Sequence, residues 1–372
     1  MLQVPETPCL VVDVAKVREN VRRMQQQVEA CGCRLRPHVK THKMPFFARM
    51  QLEAGAAGIT CAKVSEAEVM AQGGVKDIFI AYPMVGEFRI RRALALQRQV
   101  DRLILAVDSW EGAQRLSQAA VDANTVLEVR LEVDTGAKRT GIPRERLVEL
   151  GKAVHSLPGL RLTGIYTFKS LVLHDAPTQD NAAAAQEEGE LMASLAEQLR
   201  QAGIPLEDVS AGSTPTGLLV AQTGLVNEVR PGTYIFADWM LTKENCARLE
   251  DIAVRLYATV VSTPEAGYAV LDGGTKTFPT DSPLDTAPGF YPGYAIPLGA
   301  DGLPDENLQL RRMNEEHGIV TAKNGRTGLQ VGQAVELLPI HVCTAVNNFN
   351  HVFLWEDGEL LQMPVAARGM LV

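Results

Sequence analysis

The feature that most limits the folds open to this chain is a regular alternation. Short apolar runs and longer amphipathic segments follow one another through about the first 230 residues. Runs at 35–39, 58–61, 77–82, 103–107, 126–133, 162–168, 208–210 and 227–230 read as eight strands. Helical spacing lies between them at 65–72, 86–97, 110–121, 144–155 and 183–201. Asp108 with Ser109 supplies one helix start signal, and Gly141-Ile142-Pro143 precedes another. Eight strands alternating with helices predict an α/β fold, a (β/α)8 TIM-type barrel. A doubly wound open sheet is the alternative, but no G-x-G-x-x-G follows the first run.

The texture changes near residue 240. Runs at 253–263, 268–272, 332–338, 351–355 and 360–365 look like strands separated by turns, without helical spacing between them. Residues 281–306 are rich in Pro, Gly and Asp and read as an irregular loop. The strand-like run 9–12 at the N-terminus is expected to join this part. The reading is therefore a barrel over 13–240 and a mainly-β domain made of 1–12 and 241–372.

Composition narrows the function. With 36 basic and 44 acidic residues the net charge is −8 and no basic block stands out, so neither nucleic acid nor an anionic membrane is expected as a partner. No apolar run approaches the roughly 18 residues of a membrane span, and no signal-peptide pattern opens the chain. A cytoplasmic protein is expected. Six cysteines in 372 residues make no secreted disulfide framework. Cys31 and Cys33 read as structural, and Trp110 and Trp355 as core residues.

In such barrels the chemistry sits at the C-terminal ends of the strands, which selects residues in advance. The first strand runs into Arg36-Pro37-His38-Val39-Lys40-Thr41-His42-Lys43, and in an extended chain Arg36, His38 and Lys40 share a face. A lysine drawn out of water becomes a nucleophilic amine, as a Schiff-base lysine requires. The plainer reading is a solvated basic turn. The fifth strand ends with Asp134 and Arg139. Arg139 suits an anionic or phenolic oxygen, against a turn with exposed bases. After the seventh strand come Gly212, Ser213 and Thr214, and after the eighth Gly232, Thr233 and Tyr234. Glycines with hydroxyls at these two places suit a phosphate, against two ordinary turns. In the C-terminal part, His341 and Cys343 point the same way if extended, and an imidazole with a thiolate suits zinc. A buried His and Cys in a strand is the default alternative, and two ligands would leave an open site.

Taken together, these residues resemble those of the fold-type III pyridoxal-phosphate-dependent D-serine dehydratase / D-threonine aldolase family, relatives of alanine racemase. Nearly the whole chain takes part. Its markers are Thr7-Pro8, the 36–43 run, Glu132 to Gly136 with Arg139, Ser210 to Thr216, Arg230 to Tyr234, Glu315 to Gly318, and His341 with Cys343. The resemblance implies that Lys40 carries pyridoxal 5'-phosphate as a Schiff base and removes the Cα proton. It implies Arg139 at the phenolic oxygen, Tyr166 near the pyridine ring, and Gly212, Ser213, Thr214, Gly232, Thr233 and Tyr234 around the phosphate. His341 and Cys343 would hold Zn2+ or another divalent metal. A homodimer with shared active sites is implied, with His317 and Asp281 able to enter from the partner.

The implied activity is a lyase reaction on a small D-3-hydroxy amino acid, of the D-serine or 3-hydroxy-D-aspartate type, losing water to give a 2-oxo acid and ammonia. Family dehydratases tend to carry His-x-Cys and aldolases His-x-Asp, so Cys343 favours elimination. The alternatives are retro-aldol cleavage to glycine and an aldehyde, an amino-acid racemase, and a cofactor-carrying barrel without catalysis. The chain departs from the family twice. Tyr166-Thr167-Phe168-Lys169-Ser170 lacks two histidines usual after the sixth strand, and Pro339-Ile340 replaces the usual Pro-Asn before the metal pair. Both departures bear on which substrate is taken, a 3-hydroxy-D-aspartate or a bulkier D-3-hydroxy acid among them.

Overall fold

The computed structural model describes residues 2–282, 284–286 and 289–372, which form two compact units. One unit comprises Val21–Lys40, Met44–Gly232 and Gly369–Val372; the other comprises the residues up to Asn20, Thr41–Lys43 and Thr233–Arg368.

The first unit is the barrel. Eight strands pair in parallel in the order Arg34–Leu35, Glu228–Val229, Asp208–Ala211, Leu160–Tyr166, Leu127–Glu132, Arg102–Val107, Asp77–Pro83 and Ile59–Cys61. A parallel bridge from His38 to Thr60 closes the ring. Burial on both faces makes such strands continuous apolar runs; Ile78, Phe79 and Ile80 are wholly buried. Helices start on local signals: Ser109 Oγ accepts from Gly112 N–H ahead of the Trp110–Asp122 helix, and Asp180 accepts from Ala183 N–H ahead of Asn181–Gln201.

The first and last barrel strands are shorter than the sequence suggests, each two residues long. Pairing continues past the first as single hydrogen bonds, Arg36 N–H to Val229 O and His38 N–H to Pro231 O, and the chain then turns into a single 3-10 turn, Val39–Thr41. The shared face of Arg36, His38 and Lys40 therefore does not form. Arg36 is buried instead, its Nε 2.8 Å from Glu228 Oε2 and its guanidinium also paired to Asp77. Arg130 reaches the same Glu228 at 2.6 Å and Asp208 at 2.5 Å. Burial alone would raise the Glu228 carboxyl, but Arg130 and Arg36 outweigh it and hold it well below the usual carboxylate range. Helices Pro45–Glu53 and Gly217–Gln222 had no clear periodic signal. Trp110, expected in the core, opens its helix and is 37% exposed.

The second unit is built on a nine-stranded sheet. Its main path runs Leu308–Met313, Gly318–Ala322, Tyr268–Leu271, Val254–Glu265, Cys9–Asp13, His351–Glu356 and Glu359–Pro364. The N-terminal strand lies parallel to His351–Glu356 and antiparallel to Val254–Glu265. Ala334–Pro339 pairs with Val254–Glu265, and Ala295–Pro297 adds to it from inside the stretch read as an irregular loop. Leu308–Met313 was not anticipated, because Arg311 and Arg312 interrupt its apolar alternation on an edge strand where charge is tolerated.

The units divide between Gly232 and Thr233, eight residues earlier than the sequence suggests. The last four residues belong with the barrel, where Ser65 Oγ donates to Val372 O at 2.8 Å.

Candidate active site

In the barrel unit, Lys40 lies on the 3-10 turn just past the first strand, half-buried, and its N–H donates to His38 Nδ1 at 3.3 Å. Lys40 Nζ is 5.9 Å from the centroid of the Phe168 ring. The Arg139 guanidinium lies over the same ring at 4.4 Å. The structure thus brings Lys40 and Arg139 to one aromatic ring, that of Phe168. Arg139 sits in a loop shaped by Asp134, whose Oδ1 accepts from Gly136 and Lys138 N–H groups.

Tyr166 ends its strand fully inside the barrel. Its hydroxyl donates to Glu132 Oε2 at 2.9 Å, and the Arg230 guanidinium lies 5.2 Å from its ring. Burial first, and then the Glu132 carboxylate, push the phenol well above its ordinary value, so it stays protonated.

The two hydroxyl-bearing turns meet. Gly232 N–H donates to Thr214 Oγ1 at 3.1 Å, and Arg230 N–H to Gly212 O at 3.2 Å. Gly212 has φ +77°, and a Cβ there would fall 2.6 Å from Gly217 Cα, so only glycine fits. Its own N–H is taken by Glu188 Oε1 at 2.9 Å, and Glu188 Oε2 accepts from Thr216 Oγ1. Gly212 therefore shapes the turn. Ser213 Oγ is buried with no hydrogen-bond partner among the described residues. Sequence reasoning missed Glu188, a carboxylate raised by burial. The available signal was an acid on the buried Ala184, Ala185, Met192 face of its helix.

Thr233 and Tyr234 fall in the β unit, on a 3-10 turn Thr233–Ile235. There the Cys343 Sγ lies 3.2 Å from Thr41 Oγ1 and 3.6 Å from Thr233 Oγ1. The peptide chain joins Thr41 directly to Lys40, and Thr233 directly to Gly232.

His341 is extended, but Cys343 is not, so the two do not share a strand face. Helix Val342–Asn348 begins at once after His341, placing Cys343 in its first turn. The cause is Asp238, which sequence reasoning also missed. Its Oδ2 accepts from Val342 N–H and its Oδ1 from Leu241 N–H, each at 3.0 Å, fastening two helix starts on one buried carboxylate. Burial pushes Asp238 up to about 6 and, joined by Asp238, Glu244 up to about 7.

The pair still meets. Burial opposes charge on His341, but hydrogen bonds to Asp281 and Cys343 outweigh it and push the ring up to about 11. His341 Nδ1 is 2.6 Å from Asp281 Oδ2, and Thr344 Oγ1 donates to Asp281 Oδ1 at 2.9 Å. Asp281, expected to reach into a partner's site, is thus engaged by its own chain. His317 is exposed beside the Lys276–Glu316 ion pair. Among the described residues no group of three or more His, Cys, Asp or Glu is arranged to hold a metal ion.

A closed parallel barrel with a lysine just past its first strand, followed in sequence by a β unit, is the architecture of a barrel-type pyridoxal-phosphate enzyme. Residues 12–238 match the family model "Alanine racemase, N-terminal domain", and residues 253–355 match "Putative serine dehydratase domain". The chain belongs to the fold-type III pyridoxal-phosphate-dependent D-serine dehydratase / D-threonine aldolase family. It is 34% identical to D-threo-3-hydroxyaspartate dehydratase of Delftia sp., over 92% of each chain. It is 30% identical to D-threonine aldolase of Arthrobacter sp., over 98% of this chain and 93% of the relative. A solved cysteine-to-alanine variant of D-threo-3-hydroxyaspartate dehydratase in a metal-free form superposes with a TM-score of 0.88 at 32% identity, covering 96% of this chain and 97% of the other. No helix among the described residues is long and apolar enough to cross a membrane.

Proposed function

We propose that this chain removes water from a small D-3-hydroxy amino acid, of the D-serine or 3-hydroxy-D-aspartate kind, to give a 2-oxo acid and ammonia. The observation that carries the reading is the placement of the Cys343 thiol against Thr41 and Thr233. Both threonines lie in the same unit as His341 and Cys343, and they directly follow Lys40 and Gly232 in sequence.

The residues suit both groups. An unpartnered, buried Ser213 Oγ beside the Thr214–Gly232 contact is what an anionic phosphate would satisfy. A nitrogen and a sulfur donor suit zinc, and two protein ligands leave room for water or substrate. When bound, pyridoxal phosphate supplies an electron sink for charge at Cα, and zinc a Lewis acid for the β-hydroxyl.

Ser213, Thr214 and Gly232 bind the phosphate, and Arg139 holds the phenolic oxygen, steadied by the Phe168 ring. Tyr166 stays protonated on Glu132 and walls the barrel interior. Lys40 Nζ takes the Cα proton of the D-amino acid. That proton and the hydroxide leaving Cβ make up the water lost. The resulting enamine tautomerises to an imine, and hydrolysis yields the 2-oxo acid and ammonia. His341 and Cys343 hold the metal through their nitrogen and sulfur. A cytoplasmic homodimer is part of the same proposal.

The rival is retro-aldol cleavage, for which the similarity to a D-threonine aldolase speaks. Product analysis separates them. The zinc- and cofactor-loaded protein is given D-serine, D-threonine and D-threo-3-hydroxyaspartate. Ammonia with a 2-oxo acid is expected; glycine with an aldehyde would place the chain with the aldolases.

A further inference from the structure

We propose that Asp281 is the positioning residue that fixes His341 as a metal ligand. The inference rests on the metal reading just given and adds to it a residue 60 positions away in sequence.

His341 Nδ1 lies 2.6 Å from Asp281 Oδ2. An ionised carboxylate can only accept, so Nδ1 carries a hydrogen, and the proton that a metal would displace from the ring is the one on Nε2. The ring is thereby fixed in tautomer and orientation, with Nε2 the nitrogen available to a metal. The carboxylate is itself held, because Thr344 Oγ1 donates to its second oxygen at 2.9 Å. Both oxygens of Asp281 are thus committed to the four-residue stretch 341–344 that carries the two ligands. This accounts for so firm an arrangement on a side chain that remains 41% exposed. Asp281 is not a third ligand, since no three-group cluster exists among the described residues. Asp238 does different work: it holds the backbone N–H of Val342 and so sets where Cys343 points. A histidine backed by a carboxylate is a better-oriented and more basic ligand, and losing such a partner typically costs 10–100-fold in metal affinity.

The test uses the full chain loaded with pyridoxal phosphate. Zinc affinity is measured by competition with a chromophoric chelator for wild type, Asp281→Ala, Asp281→Asn and His341→Ala. Asp281→Ala is expected to bind zinc about 10–100-fold more weakly. Asp281→Asn, whose amide oxygen still accepts from Nδ1–H, is expected to fall between it and wild type. The visible absorption of the bound cofactor should be unchanged in both, which reports an intact fold. At saturating cobalt(II) the sulfur-to-cobalt absorption should persist in Asp281→Ala, since Cys343 still ligates. If His341→Ala loses zinc while Asp281→Ala binds it as wild type does, the role of Asp281 is overturned and the metal site stands. If wild type and His341→Ala bind zinc alike, the metal reading falls and this inference with it.

Discussion

Thr41 Oγ1 lies 3.2 Å from Cys343 Sγ, across 302 positions of sequence. Thr41 follows Lys40 in the chain, so the backbone that carries the amine also carries a partner of the thiol. A hydroxyl–sulfur hydrogen bond of this kind is worth about 1 kcal/mol net. Thr41→Val keeps the volume and removes the oxygen. It is expected to weaken zinc binding about fivefold, read by chelator competition, with cofactor loading unchanged.

Ser213 gives the sharpest probe of the phosphate site, because its buried Oγ has no partner among the described residues. A hydrogen bond to a charged group contributes about 1.5–3 kcal/mol, so Ser213→Ala should weaken cofactor binding about 10–150-fold. The cofactor-free protein should lose no stability, since an unsatisfied buried hydroxyl is being removed. Fluorescence titration with pyridoxal phosphate and thermal unfolding of the cofactor-free protein check the two halves.

Phe168 holds Arg139 through a cation–π contact of 4.4 Å, with Arg139 exposed. Such contacts at exposed sites are worth about 0.5–1 kcal/mol. Phe168→Ala should therefore raise the cofactor dissociation constant about two- to fivefold, and Phe168→Tyr should leave it near wild type. The same fluorescence titration reads both.

Glu228 lies between Arg36 and Arg130 and is held well below its usual value of 4.5. A depressed carboxyl contributes stability that is present above the unfolded value and lost as pH falls toward the folded one. The barrel should lose stability as pH drops below 4.5. Glu228→Gln should cost about 3 kcal/mol at neutral pH, because two buried guanidinium groups each lose one of their two carboxylate partners. Its stability should then fall less steeply with acid. Denaturant unfolding at about pH 7 and at about pH 4 checks both points.

Much of this was legible in sequence, and the reasons for the rest are physical. Each barrel strand lies within a short apolar or mixed run bounded by helical spacing, so all eight stood out. Their ends did not, because the chain turns into a 3-10 turn right after His38 and leaves Lys40 on that turn. Cys9–Asp13 was found in the β sheet as expected. The edge strand Leu308–Met313 was not, because burial on one side gives a weaker pattern. His341 and Cys343 are singled out by type and spacing, but their geometry depends on Asp238, 104 positions from the N–H that it accepts. Glu188 and Asp281 act through contacts that no local pattern records.

The central claim is that Lys40 removes the Cα proton while His341 and Cys343 hold a metal that makes the β-hydroxyl leave. The direct measurement adds zinc back to chelated, cofactor-loaded protein while following ammonia from D-threo-3-hydroxyaspartate. Ammonia release should rise from near zero and saturate at one zinc per chain, and Lys40→Ala should remain about 100-fold or more below wild type at saturation. Ammonia release that ignores the chelator, or glycine appearing in its place, would contradict the account.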